Sequence, residues 1–237
     1  MEPVKFALRR KIMRDPFFYR AYFSIRLAKN THLRLPSTLD DLYVDGYPRS
    51  GNTYLASLIR HFFPEFKFTS HLHVPAAIDV ALKKSIPPVL LIRKPADAIA
   101  SNIYRKRHVE KTHADERLAR MLIDDYISYY RFALGRADFV LFLIFTELKS
   151  DPLRALKSVL NCARCNDVAV IPNDESLASF RESFTKRERQ KATGSTSLPD
   201  SDSGEEKLRY SELVASQSSF ADAAELYERI LTIARGS

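Results

Sequence analysis

The sequence predicts an α/β fold: a single domain whose central parallel sheet is flanked by helices. Three observations carry that expectation. Apolar runs at about 41–47, 66–70, 89–92 and 139–145 alternate with stretches whose apolar residues recur at spacings of three and four. The runs 89–92 and 139–145 are apolar throughout, as strands buried on both faces of a parallel sheet are. Finally, 237 residues with 45% hydrophobic side chains suffice for one sizeable core.

Residues 1–35 stand apart as a basic amphipathic arm. They hold nine Lys and Arg against Glu2 and Asp15, a balance of +7 within a chain total of +8, so residues 36–237 are close to neutral. Phe6, Phe17, Phe18, Tyr19, Tyr22 and Phe23 interleave with these charges. Such an arm suits an anionic membrane surface, nucleic acid or an acidic substrate. Helices that pack their rings on the domain and leave the charges in water account for the same pattern, and that reading is preferred here. A lone C-x-x-C, Cys162 and Cys165, has no second pair nearby and reads as two small thiols rather than a zinc or redox site. No apolar run approaches the ~18 residues of a membrane span, and no signal-peptide core is visible, so a soluble, cytoplasmic protein is expected.

Taken in order, residues 36–38 lead into a strand at about 41–47. A polar turn, Tyr47-Pro48-Arg49-Ser50-Gly51-Asn52-Thr53-Tyr54, follows, then a helix with Leu55, Leu58, Ile59 and Phe62 on one face, ended near Pro64. A second strand at 66–70 ends in Ser70-His71-Leu72-His73, and Pro75 starts a helix to about Lys84. The buried strand 89–92 runs directly into Arg93, followed by a helix from about Ala96 to Arg107 and a longer one over 115–134. The run 139–145 is a further buried strand, and Pro152 opens a helix. The segment 193–206 is too rich in Ser, Gly, Asp and Glu to order itself, which makes about 189–210 a mobile loop or lid. A last helix begins at Ser219, with Phe220, Ala223, Tyr227, Ile230 and Ala234 facing the core.

The turn after the first strand carries the chemistry. Strand, tight polar turn and helix aim backbone N–H groups and a helix N-terminus at an anion. Gly51 allows close approach, Pro48 stiffens the entry, and Arg49 adds a cation whose fork matches phosphate or sulfate oxygens. From Gly46 to Thr53 the chain fits the nucleotide-triphosphatase loop G-x-x-x-x-G-K-[ST] except that Asn52 stands in the lysine position. A second anion site is suggested by Arg93, at the C-terminal end of a parallel strand, with Ser101 two turns into the next helix.

Together these segments resemble the sulfotransferases. Residues 48–54 are similar to their 5′-phosphosulfate loop, P-[KR]-[SA]-G-[TN]-[TS]-[WYF]. Residues 93–104 are similar to their 3′-phosphate motif, R-[DN]-P-[KR]-D-x-[AV]-x-S-x-[YN]; Arg93, Pro95, Asp97 and Ser101 are in register, with Lys94 and Ala96 departing. Residues 145–152 resemble the Y-E-D-[LM]-x-x-[DN]-P block, with Phe145 in place of Tyr. The R-K-G-x-x-G-x-W block is poorly kept; Arg189, Lys191 and Gly194 are its best match, and the chain has no Trp. The ordered matches span roughly residues 45–160.

The resemblance implies a P-loop NTPase-like three-layer fold. It also implies 3′-phosphoadenosine 5′-phosphosulfate (PAPS) as sulfuryl donor, no metal, and a small-molecule or carbohydrate hydroxyl, or an amine, as acceptor. Arg49, Ser50, Gly51, Asn52 and Thr53 would hold the 5′-phosphosulfate, and Arg93 and Ser101 the 3′-phosphate. Tyr54 would stack on the adenine, Phe145 would border it, and Arg189 and Lys191 would close the site. Arg49 would also stabilise the transferring group. A base near neutral pH favours histidine. Ser70-His71-Leu72 resembles the family's T-H-L segment and makes His71 the expected base, with His73 its rival. Two other functions fit parts of the chain. A kinase would use the same loop with ATP and magnesium, against which stand Asn52 and the lack of an Asp closing a buried strand. A nucleic-acid-binding module would use the basic arm.

Overall fold

The computed structural model describes residues 12, 13, 15, 17–19, 21, 22, 34–163, 172–190 and 204–236. Four parallel strands form one sheet in the order β2-β1-β3-β4. They are β1 (Leu42–Gly46), β2 (Phe68–Ser70), β3 (Pro88–Ile92) and β4 (Leu141–Ile144). Helix α1 (Asn52–Phe62) follows β1, α2 (Pro75–Lys83) follows β2, and α3 (Pro95–His108) and α4 (Glu116–Leu134) lie between β3 and β4. After β4 come α5 (Phe145–Ser150), α6 (Pro152–Cys162), α7 (Asp174–Arg189), α8 (Gly204–Ala215) and α9 (Phe220–Gly236). The expected α/β sheet with flanking helices is the observed one.

Two apolar cores, one on each face, explain why the strands are apolar along their length. Tyr43, Leu90, Ile92, Phe142 and Ile144 point to the face covered by α2, α3, α4, α8 and α9. Leu42, Val44, Val89, Leu91 and Leu143 point to the other, covered by α1, α5, α6 and α7. Helix starts follow local chemistry. Asp115, Asn173 and Asp151 cap α4, α7 and α6 by accepting from Leu118, Ser176 and Arg154 N–H. Pro95 and Pro152 stand in the first turns of α3 and α6, where a missing N–H costs nothing.

Two expectations need correction, and one helix was not anticipated. Phe145 is the first residue of α5, not the end of a strand, and Phe139 lies in a 3-10 turn (Ala137–Phe139), 69% exposed. The segment 174–189 is helical; Leu177, Phe180 and Phe184, at spacings of three and four, are buried beneath its charged face. Part of the expected loop at 189–210 is helix α8, held on α3 and α4 by buried Tyr210 and Val214. Residues 191–203 lie outside the described residues. So does most of the basic arm; of its described rings, Tyr19 is buried in the α4-side core while Phe17 and Phe18 are 76% and 52% exposed. No helix among the described residues is long and apolar enough to cross a membrane.

Candidate active site

In a parallel sheet all C-terminal strand ends lie along one edge. Here the chain passes from β1 outward to β2 and returns to β3 on the other side of β1. The crevice at such a switch point is where open α/β sheets take ligands. Arg49 and Arg93 lie on the segments leaving β1 and β3, and His71 and His73 on the segment leaving β2.

The loop after β1 is pinned from beneath. Gly46 cannot carry a Cβ, which would lie 2.4 Å from the Leu91 carbonyl oxygen of β3. Asn52 turns its amide back to the Gly46 and Tyr47 carbonyls, at 3.4 and 3.3 Å, so its N–H groups serve loop closure. Tyr130 of α4 accepts from Tyr47 N–H at 3.1 Å and donates to the Leu91 carbonyl. The buried Ser50 hydroxyl lies 3.4 Å from the same phenol. Gly51 adopts φ +99°, and a Cβ there would meet the Phe145 ring at 2.6 Å. Arg49 is itself left-handed at φ 70°.

The two expected anion sites come together. Arg49 Nε donates to Ser101 Oγ at 3.1 Å, and Arg93 Nη1 donates to the Arg49 carbonyl at 3.0 Å. Tyr126 of α4 donates to the Arg93 carbonyl at 2.8 Å, and the Arg93 guanidinium lies 4.6 Å from the centre of the Phe145 ring. Arg93 Nε is buried and donates to no described residue. Burial, then the charges of Arg105 and Arg93, lower the Arg49 pKa against the opposing pull of Glu188. Burial, then Arg49 and Arg93, lower that of Lys207 in α8. Four cations from two loops and two helices thus share one field. Sequence reading missed Arg105 and Lys207, because helical lysines and arginines are usually solvated and only packing shows which ones converge.

The histidines differ. His71 Nε2 lies 3.2 Å from Thr53 Oγ1, and its Nδ1 2.8 Å from Ser70 Oγ. His73 Nδ1 lies 2.8 Å from the Gly46 carbonyl and 2.9 Å from Asp45 Oδ1. Asp45 is fully buried in β1 and accepts at Oδ2 from His73 N–H at 2.7 Å and from the Tyr43 hydroxyl. Burial would raise the Asp45 pKa, but the His73 charge and the hydrogen bonds from His73 and Tyr43 bring it below its ordinary value. His73 is lifted above its own: burial lowers it, and the Asp45 charge and hydrogen bonding more than compensate. A buried Asp therefore does stand one residue before the end of a strand, contrary to the expectation that none would. Its charge is taken up by His73 and Tyr43.

Tyr54 is 7% exposed, its ring packed at 5.9 and 5.3 Å centroid distance on Phe180 and Phe184 of α7, in the core rather than on the open crevice. Arg189 is exposed in the last turn of α7, with no hydrogen bond or ion pair to the loop. Lys191 lies outside the described residues.

No protein-family model matches the chain, and no curated protein does. Among solved structures, mouse sulfotransferase SULT7A1 complexed with PAP is similar, with a TM-score of 0.50 and 18% identity over 65% of this chain and 68% of that one. Sheet, helical layers and loop together give this chain the sulfotransferase fold.

Proposed function

We propose that this protein transfers a sulfuryl group from PAPS to a hydroxyl or amine of a small-molecule or carbohydrate acceptor. The observation that carries the reading is the junction of Arg49, Arg93 and Ser101 at the switch point, with Arg93 Nε buried and unpartnered among the described residues. Leaving a buried donor unpaired costs ~1–3 kcal/mol, more when charged, and an anionic oxygen relieves that cost. The same anion would relieve the mutual repulsion of Arg49, Arg93 and Lys207. The residues present therefore fit a nucleotide with two separated phosphates.

Bound there, the nucleotide supplies an activated sulfuryl group. The chain's own residues do the rest. Arg49 and the start of α1 would hold the 5′ end, with Thr53 at its second helical residue; Arg93 and Ser101 would hold the 3′-phosphate. Phe145, against Gly51 and Arg93, fixes the wall between them. Arg189 and Lys191 would close the site, as the resemblance to the sulfotransferases implies. A histidine on the segment after β2, expected from sequence to be His71, would take the acceptor's proton. The SULT7A1 structure contains PAP, the desulfated nucleotide. Calorimetry with PAP against ATP–magnesium tests the reading: PAP should bind and stabilise the fold by ~2.7 kcal/mol at ~100 times its Kd. Equal affinity for the two nucleotides would remove it and favour the kinase.

A further inference from the structure

Asp45 has no part in the anion site, yet it is fully buried inside a strand. An ionised group there must be paired or costs several kcal/mol. Its partners are specific. Tyr43 approaches from the same strand, and His73 approaches twice, through its backbone N–H at 2.7 Å and its ring Nδ1 at 2.9 Å. The backbone bond matters because His73 sits at φ 54°, a left-handed conformation that costs a non-glycine residue of order 1–2 kcal/mol. The ring N–H aligns on the Gly46 carbonyl at 2.8 Å, with the carboxylate beside it. Nδ1 is thus the protonated nitrogen and Nε2 the one with a lone pair. No described residue hydrogen-bonds that Nε2, and the His73 side chain is 26% exposed. In His71, by contrast, both ring nitrogens face hydroxyls, one of them on the loop residue Thr53.

We propose that Asp45 is a positioning residue that holds His73 as the Nδ1–H tautomer, so that His73 Nε2, rather than His71, takes the proton of the acceptor. The proposal rests on the sulfuryl-transfer reading for its reaction and on the β1–His73 geometry for its residues. The proton leaves the acceptor oxygen or nitrogen and bonds to Nε2, while the electron pair of the broken bond stays on the acceptor atom. The imidazolium that forms lies against a carboxylate already in place, which is the role an acid has behind a catalytic histidine. His71, with its ring on Thr53, is tied to the phosphate loop. The groups facing His73 are Asp45 of β1, Arg105 of α3 and His71; Tyr43 of β1 and Tyr129 of α4 face Asp45. Of these Asp45 is the anion and Arg105 the opposing cation.

The test is imidazole NMR on the full chain labelled in its six histidines, with and without PAP, His73 being assigned through His73→Gln. At high pH His73 should show a protonated Nδ1 and a lone pair on Nε2, and it should titrate above the ordinary imidazole value. In Asp45→Asn its titration should move to lower pH, and the acid limb of any pH–rate profile should move with it. An Nε2–H tautomer, or an unchanged titration in Asp45→Asn, overturns the proposal; if that variant does not fold, the wild-type tautomer alone decides. With an acceptor in hand, His73→Gln should lower kcat ~10²–10⁴-fold at unchanged PAP affinity, and retained turnover also overturns it. Should PAP fail to bind while tautomer and titration hold, Asp45 still positions His73 and the sulfuryl-transfer reading falls instead.

Discussion

Two charged assemblies sit side by side at the C-terminal edge of the sheet and solve opposite problems. Around Arg49 and Arg93, like charges are brought together partly out of water, and their mutual repulsion stands. Around Asp45 and His73, a carboxylate backs an imidazole, and each shifts the other toward its charged form. The first is poised for a ligand, since an anion removes both the repulsion and the unpaired Arg93 donor. The second is tied by three hydrogen bonds, from His73 N–H and the Tyr43 hydroxyl to Asp45 and from the His73 ring to the Gly46 carbonyl, so it fixes geometry. Binding capacity lies where like charges converge beside the open Arg93 donor, and positional control lies where a carboxylate backs an imidazole.

The largest effect should come from breaking the Asp45–His73 assembly. Asp45→Ala removes the acceptor of a buried Tyr43 hydroxyl and of the His73 N–H, and should destabilise the fold by about 3 kcal/mol in urea denaturation. A loss below about 1 kcal/mol would mean the pair is no more than a surface contact. Breaking the Arg49–Arg93 assembly should do the reverse. Arg93→Ala or Ser101→Ala should cost ~1.5–3 kcal/mol in PAP affinity by calorimetry, while the ligand-free melting temperature barely changes. Unfolding of Arg93→Ala would give that arginine a structural role and misplace the site.

Gly51→Ala sharpens the comparison at its boundary. The left-handed φ of +99° and the Phe145 ring at 2.6 Å from the added Cβ should cost about 1–2 kcal/mol and weaken PAP binding, because Phe145 also supports Arg93. Chemical denaturation and calorimetry on one preparation read both.

The smallest effect is in pH. Asp45, with a lowered pKa, contributes stability that is present above its unfolded value near ~3.9 and fades as pH falls through the folded one. His73, with a raised pKa, contributes stability that is complete below its unfolded value near ~6.5 and fades as pH rises through the folded one. The stability difference between wild type and His73→Gln should therefore be greatest at about pH 4–6.5 and decline on both sides. A difference that is flat from pH 4 to 9 would show that His73 is not paired with Asp45.

By itself the sequence determined the sheet, because strands apolar on both faces admit only a layer of helices on each side, as at 89–92 between β1 and β4. It also located the turn at 47–53 and Arg93 with Ser101, since a phosphate-binding turn needs particular residues at particular spacings. Helix α7 was legible too, in Asn173 and the spacing of Leu177, Phe180 and Phe184, but its charged face masked the signal. Only the tertiary structure decided the rest. Tyr54 occupies a loop position yet packs into an aromatic core, because Phe180 and Phe184 arrive from a helix 120 residues further along the chain. Arg105 and Lys207 join the cations through the packing of α8 on α3, which no local pattern records. His71 and His73 stand two residues apart on one segment and differ in what lies beneath each ring. Periodicity and turn chemistry are local and can be read along the chain; charge pairing depends on distances that folding alone sets.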